Sequence, residues 1–121
     1  MKDKYIHDYL GKITTITIDR QIGTPHPKHP EIIYPINYGY IEGILAPDDE
    51  EQDVYVLGVD EPVTTFKGRI IAVVYRENDI ENKWVAAPDG VYFTAEEIAA
   101  AVHFQEQFYK SHITNLIEAP K

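Results

Sequence analysis

The chain has 121 residues, enough for one hydrophobic core but too few for two, so we expect a single domain spanning residues 1–121. It has 11 lysine and arginine residues and 20 aspartate and glutamate residues, and the resulting net charge of −9 disfavours nucleic acid and membranes as partners. The sequence contains no cysteine, which excludes disulfides and thiolate chemistry and, with no long apolar segment, predicts a cytoplasmic protein.

Five segments have the β-branched or alternating pattern of strands. The first is Lys12–Arg20, where Ile16 and Ile18 alternate with threonines. The second is the aromatic segment Glu31–Tyr40, in which Pro35 favours an edge or bulged strand. The three remaining predicted strands are Gln52–Asp60, Thr65–Arg76 and Lys83–Ala87.

The C-terminal region predicts a helix. Thr94 and Glu97 have the spacing of a capping box, and apolar residues recur at helical spacing as far as Tyr109, so we expect the helix to run to about Lys110. A further helical turn is predicted from Ile113, Leu116 and Ile117. The fold class is therefore mainly β with a flanking helix, an OB-like five-stranded Greek-key barrel. The many aromatic residues on so small a barrel also favour a homo-oligomer.

Two acidic segments lie next to predicted strands. The first places five carboxylates within six residues: Asp48, Asp49, Glu50, Glu51 and Asp53. The second is a polar turn followed by a lysine: Glu77, Asn78, Asp79, Glu81 and then Lys83. Clustered carboxylate oxygens suit a hard divalent cation such as Mg²⁺. On these residues alone, two exposed acidic turns and a solvated lysine remain the alternative.

The segment Gly23–Pro30 contains three prolines and is predicted to be a loop. Its His26 and His29 can bind a metal ion, and Lys28 can hold a phosphate group. The alternative is that both histidines form hydrogen bonds within a surface turn.

The tract Tyr34–Tyr40 reads Tyr-Pro-Ile-Asn-Tyr-Gly-Tyr, and Asp48, Glu50 and Asp53 follow it in the pattern Asp-x-Glu-x-x-Asp. These residues resemble the central signature of the family I soluble inorganic pyrophosphatases. The resemblance covers Ile13–Lys110, including the later acidic turn, its lysine and the Val-Ala-Ala-Pro sequence that follows. On this basis the chain resembles a short, divergent member of that family, with one inorganic-pyrophosphatase-like domain.

The resemblance implies hydrolysis of inorganic pyrophosphate to two phosphates by a water that Mg²⁺, or alternatively Mn²⁺, activates. The metal ligands that it implies are Asp48, Glu50, Asp53, Asn78 and Glu81. It implies catalytic roles for Glu50, Asp53 and Tyr38. The implied or substitute contacts to pyrophosphate or phosphate are Tyr38, Lys83, Lys28, His26, His29, Tyr109 and Lys110.

The sequence differs from the family pattern in its phosphate-binding residues. Thr15 and Thr17 stand where the family has a lysine and a glutamate, and the arginine expected before the Tyr-Pro tract is missing. Lys28, His26 and His29 are the candidate substitutes. An alternative function is therefore a non-catalytic phosphate-binding, metal-binding or assembly module on the pyrophosphatase fold. Nucleic-acid binding by an OB-like barrel is a third alternative, which the net charge disfavours.

Overall fold

The structure is a computed structural model that describes residues 5–79 and 81–120. The helices are α1 (Ile6–Tyr9) and α2 (Ala95–Glu106). The strands are β1 (Ile13–Arg20), β2 (Asn37–Leu45), β3 (Glu51–Val56), β4 (Thr65–Arg76), β5 (Lys83–Ala87) and β6 (Ser111–Thr114). Neither helix in this described part has the length and apolar character needed to cross a lipid bilayer.

Five strands close into a barrel, which confirms the predicted fold class. Their order is β1-β2-β3-β5-β4, and a further pairing between β1 and β4 completes the circle. Strands β3 and β5 run parallel, and the other neighbouring strands are antiparallel. Closure leaves none of these five strands with a fully unpaired edge.

Strand β4, with 12 residues, is long enough to pair with two strands along the same edge. Its first half pairs with β1, and its last residues, Val73–Arg76, pair with β6. The prediction of a helical turn at Ile113 was therefore wrong, because this residue belongs to β6 and pairs with Val74.

Other element boundaries also differ from the predictions, since β2 ends at Leu45 rather than Tyr40 and β3 ends at Val56 rather than Asp60. Strand β2 begins at Asn37 rather than Glu31, because Tyr34 exchanges backbone hydrogen bonds with the loop, donating to Thr24 and accepting from Gly23. Helix α2 ends at Glu106 rather than near Lys110. The chain leaves the helix there because Lys110 bonds to the turn after β4, where its carbonyl accepts from the backbone of Glu77.

The strands bury side chains on both of their faces. On β3, Val54 and Val56 belong to a cluster with residues from all five barrel strands, which fills the barrel interior. The alternate residue Tyr55 packs instead against Ile98 and Val102 of α2. Asp53 shares the face of Tyr55, because side chains in a strand alternate with a period of two. Asp53 therefore lies on the outer, helix-covered face of the barrel.

Gly39 allows β1 and β2 to come into close contact. A Cβ atom at this position would lie 1.9 Å from the backbone carbonyl oxygen of Thr17. No side chain can be accommodated without moving the strand. The glycine thus fixes the position of β2, which carries Tyr38.

Candidate active site

A pocket of about 340 Å³ lies where the C-terminal end of α2 meets the outer face of the barrel. Strands β3, β4 and β5 supply its floor, and the loop that follows β1 supplies its rim. Eight of the twelve predicted site residues line it: His26, Lys28, His29, Tyr38, Asp53, Glu81, Lys83 and Tyr109. The fold thus brings residues from five separate parts of the sequence to one place.

The other four predicted residues do not line this pocket. Asp48 and Glu50 lie in the turn before β3, where the Glu50 backbone N–H donates to Asp48 Oδ1 over 3.1 Å. Asn78 Oδ1 accepts a 3.1 Å hydrogen bond from the backbone N–H of Lys110. Asn78 and Lys110 thus contact each other and join the end of α2 to the turn after β4.

Lys83 joins two carboxylates on the floor of the pocket. Its side chain is 5% exposed, and its Nζ donates to Asp53 Oδ2 over 2.6 Å and to Glu81 Oε1. The same ammonium group lies 5.5 Å from the centre of the Tyr38 ring, at the distance of a cation–π contact. This buried lysine is therefore held by two acids and one aromatic face.

The two carboxyl groups on Lys83 differ in acidity. Burial raises the pKa of Glu81 above its usual value, and the interaction with Asp53 raises it further. Burial acts in the same direction on Asp53, but the charge of Lys83 and hydrogen bonds from its neighbours outweigh it and lower the Asp53 pKa. Asp53 is thus the group that stays ionised, and Glu81 is the group that holds a proton more readily.

Arg76, the last residue of β4, is almost completely buried beside this pair. Its Nε and Nη2 donate to the two oxygens of Glu106 over 3.0 and 2.7 Å. Its Nη1 lies 3.3 Å from Asp79 and 3.6 Å from Glu81, and its guanidinium carbon lies 3.6 Å from the centre of the Tyr109 ring. Although burial opposes the charged form, the hydrogen bonds to Glu106 keep the pKa of Arg76 above its usual value.

Hydrogen bonds from α2 hold this arginine in place. The Tyr55 hydroxyl donates to Glu106 Oε2 over 2.6 Å and accepts from Gln105 Nε2 over 2.7 Å. Gln105 Oε1 in turn accepts from the Tyr34 hydroxyl over 3.1 Å. The last turn of α2 is therefore joined to β3 and β4 through buried polar groups, each of which has a partner.

The rim of the pocket carries basic and aromatic groups. His26 stacks on Tyr34 with ring centres 5.8 Å apart, and His29 stacks on Phe108 at 4.9 Å. Burial, followed by the charge of His29, lowers the pKa of His26. His26 Nδ1 also accepts from two backbone N–H groups of its own loop. His26 therefore forms hydrogen bonds within the surface turn, as the alternative predicted, and it also lines the pocket.

Several pocket residues were not predicted from the sequence. Asp19 and Arg20 end β1, with an ion pair of 3.9 Å between them, and Arg76 ends β4. Burial raises the pKa of Asp19. Gln105 and Phe108 also line the pocket. The position of the strand-end residues had a signal in the sequence, because charged residues at the ends of strands reach the rim of a barrel, but the burial of Arg76 had none.

The pocket does not fit the magnesium site that the resemblance implies. Within residues 5–79 and 81–120, no three histidine, aspartate or glutamate side chains converge on one point. Asp53 and Glu81 are the two floor carboxylates, and Lys83 already contacts both of them. Mg²⁺ requires nearly ideal octahedral geometry from oxygen ligands, and here an ammonium group takes the position between those oxygens.

The sequence matches no protein-family model and no curated protein. The fold, in contrast, matches solved structures of bacterial inorganic pyrophosphatases. The structure from Ehrlichia chaffeensis has a TM-score of 0.68 at 19% identity and covers 88% of this chain and 88% of its own. The one from Coxiella burnetii has a TM-score of 0.66 at 17% identity, with coverages of 90% and 88%.

A third similar structure, from Neisseria gonorrhoeae, has a TM-score of 0.61 at 18% identity and covers 78% of this chain and 72% of its own. Identities this low establish a common architecture and leave the chemistry of the pocket to its own residues. The resemblance seen in the sequence is thereby confirmed for the fold: the chain has the fold of the inorganic pyrophosphatases.

Proposed function

We propose that the pocket binds a small phosphate anion and that inorganic pyrophosphate is its first candidate ligand. The observation that carries this proposal is the concentration of positive charge. On a chain with a net charge of −9, four of the 11 lysine and arginine residues line this pocket, against three of the 20 acidic residues: Arg20, Lys28, Arg76 and Lys83 against Asp19, Asp53 and Glu81. Two histidines add further donors, and the barrel has the fold of the inorganic pyrophosphatases, which supports a phosphate ligand.

The four cations act at two depths. Arg76 and Lys83 are buried and held by carboxylates, so their N–H donors are fixed at the floor while the neighbouring acids offset their charge. Arg20 and Lys28 are at the rim, where the Arg20 side chain is 38% exposed and Lys28 is open to solvent. Flexible rim cations above fixed N–H donors suit a multiply charged anion, whose oxygens accept several charge-assisted hydrogen bonds.

Binding is tested by calorimetric titration of the full chain with pyrophosphate and with phosphate. Loss of a charge-assisted hydrogen bond costs about 1.5–3 kcal/mol, so Arg20→Met and Lys28→Met are each expected to weaken binding by roughly 10- to 100-fold. Lys67→Met is the matched control, because Lys67 is exposed on β4 outside the pocket. A wild-type chain that binds neither anion would refute the proposal.

Hydrolysis of pyrophosphate is the second candidate function, favoured by two carboxyl groups that Lys83 holds together in the pocket and whose pKa values shift in opposite directions, Asp53 and Glu81. An ionised carboxylate can take a proton from an attacking water, and a neighbouring protonated carboxyl can give one to the leaving phosphate. The water oxygen would bond to one phosphorus while the bridging bond breaks. Tyr38 and Lys83 would orient the pair.

Phosphate release from pyrophosphate tests this candidate, with Mg²⁺, with Mn²⁺ and with EDTA, since the resemblance implies metal dependence. Asp53→Asn is expected to abolish release, while Asp60→Asn, an exposed aspartate outside the pocket, is expected to leave it unchanged. Full activity in Asp53→Asn would exclude this role. No release under any condition, with binding intact, would leave phosphate binding as the function.

A further inference from the structure

Every described carboxylate that lines the pocket is paired with a cation of the chain itself. Asp19 pairs with Arg20, Asp53 pairs with Lys83, and Glu81 pairs with both Lys83 and Arg76. The positive groups thus neutralise the acids that a bound metal ion would otherwise neutralise.

We infer that the pocket takes its phosphate ligand without a divalent cation, and that Arg76 and Lys83 serve as its resident cations. This inference rests on the proposed phosphate binding and specifies how the charge of the ligand is neutralised.

Of the two resident cations, Arg76 disfavours a bound metal ion more strongly. A guanidinium cannot lose its proton in a protein, so Arg76 stays charged whatever else binds. Glu106 holds it through two parallel hydrogen bonds, and the Tyr109 ring covers its face. Movement out of the pocket would leave the buried carboxylate of Glu106 unpaired, which is strongly unfavourable.

Lys83 disfavours metal binding because it already occupies the carboxylate oxygens that an ion would need. An ion coordinated by Asp53 and Glu81 would have to displace the Lys83 ammonium from both oxygens. The Lys83 side chain is 5% exposed and has little access to solvent, so displacement of its ammonium group would bury an unpaired charge. The ion would also lie near Arg76, a like charge in a region of low dielectric constant.

A phosphate ligand has the opposite relation to these groups. It would contact Arg20 and Lys28 at the rim and the N–H donors of Arg76 and Lys83 at the floor, since all four residues line the pocket. No acid of the floor needs a metal ion between it and the phosphate oxygens, because each acid is already neutralised by its own partner.

The test compares calorimetric titrations of the full chain with pyrophosphate in EDTA and in excess Mg²⁺. We expect the two dissociation constants to agree within about threefold. Binding that requires Mg²⁺ would overturn this inference and leave the proposed phosphate binding standing. Failure to bind pyrophosphate under both conditions would overturn both. A second titration uses Mn²⁺ alone, and saturable Mn²⁺ binding with a dissociation constant below about 1 mM would also overturn the inference.

Substitution of Lys83 provides a test that does not disturb the buried arginine pair. Lys83→Gln frees Asp53 and Glu81 from their ammonium partner, so we expect it to weaken pyrophosphate binding in EDTA by at least about tenfold and to gain Mn²⁺ binding. Lys83→Arg, which keeps the charge, is expected to retain metal-free binding, and circular dichroism checks that each variant is folded. A folded Lys83→Gln variant with wild-type affinity in EDTA would overturn the inference.

Discussion

The ion pair between Arg76 and Glu106 gives the sharpest stability prediction. Glu106→Gln keeps the shape of the side chain but removes the negative charge that accepts from Arg76 twice and from Tyr55 once. Removal of one member of a buried ion pair costs about 3–5 kcal/mol. The cost should lie near 3 kcal/mol, the lower end, because Arg76 keeps Asp79 at 3.3 Å and Glu81 at 3.6 Å.

This loss is measured by urea unfolding followed by circular dichroism, where it should lower the midpoint by about 1.5 M. Glu96→Gln, an exposed change on the same helix, should alter the free energy of unfolding by less than about 0.5 kcal/mol. The double variant Arg76→Met with Glu106→Gln should cost less than the sum of the single variants, since neither charge is then left unpaired. A loss below about 1 kcal/mol in Glu106→Gln would refute the reasoning.

Two further predictions concern the barrel and the rim. Gly39→Ala places a methyl group 1.9 Å from the Thr17 carbonyl oxygen, so we expect a loss of more than about 3 kcal/mol, measured by thermal unfolding; an unchanged melting temperature would contradict this contact. Burial, followed by the charge of His29, lowers the pKa of His26 below 6.5, so the unfolded chain binds this proton more readily and the free energy of unfolding falls as the pH drops below 6.5. His26→Asn should remove that part of the pH dependence in urea titrations at several pH values, and a variant with the wild-type slope would contradict the assignment.

Two of the strands could be predicted closely from the sequence. Thr65–Arg76 and Lys83–Ala87 have the predicted bounds, because turn-forming residues mark their limits: Glu61-Pro62 precede the first strand, and Pro88-Asp89-Gly90 follow the second. The end of α2 could not be predicted in this way. Apolar residues continue past Glu106 at helical spacing, but the turn after β4 captures the backbone of Lys110. This contact spans more than 30 positions and leaves no trace in a local pattern.

Some residues of the candidate site could likewise be predicted from local sequence, and others could not. The aromatic tract and Asp53 were recognisable because their spacing is local, and the structure places Tyr38 and Asp53 in one pocket. The partnership of Arg76 with Glu106 joins a strand to a helix 30 residues later. An arginine at the end of a strand has the sequence pattern of a solvated residue, and only the packing of α2 makes it a buried cation.

The arrangement of charge also has a consequence for how the pocket would meet an anion. At long range, the net charge of −9 repels phosphate. At contact, the four cations that line the pocket outnumber its three carboxylates and attract phosphate. Salt screens interactions beyond about 10 Å at 0.1 M and affects buried pairs much less. Moderate salt should therefore weaken the repulsion more than the attraction. In this respect a phosphate site in this pocket differs from a basic protein surface, because the affinity of a basic surface for anions falls as salt is added.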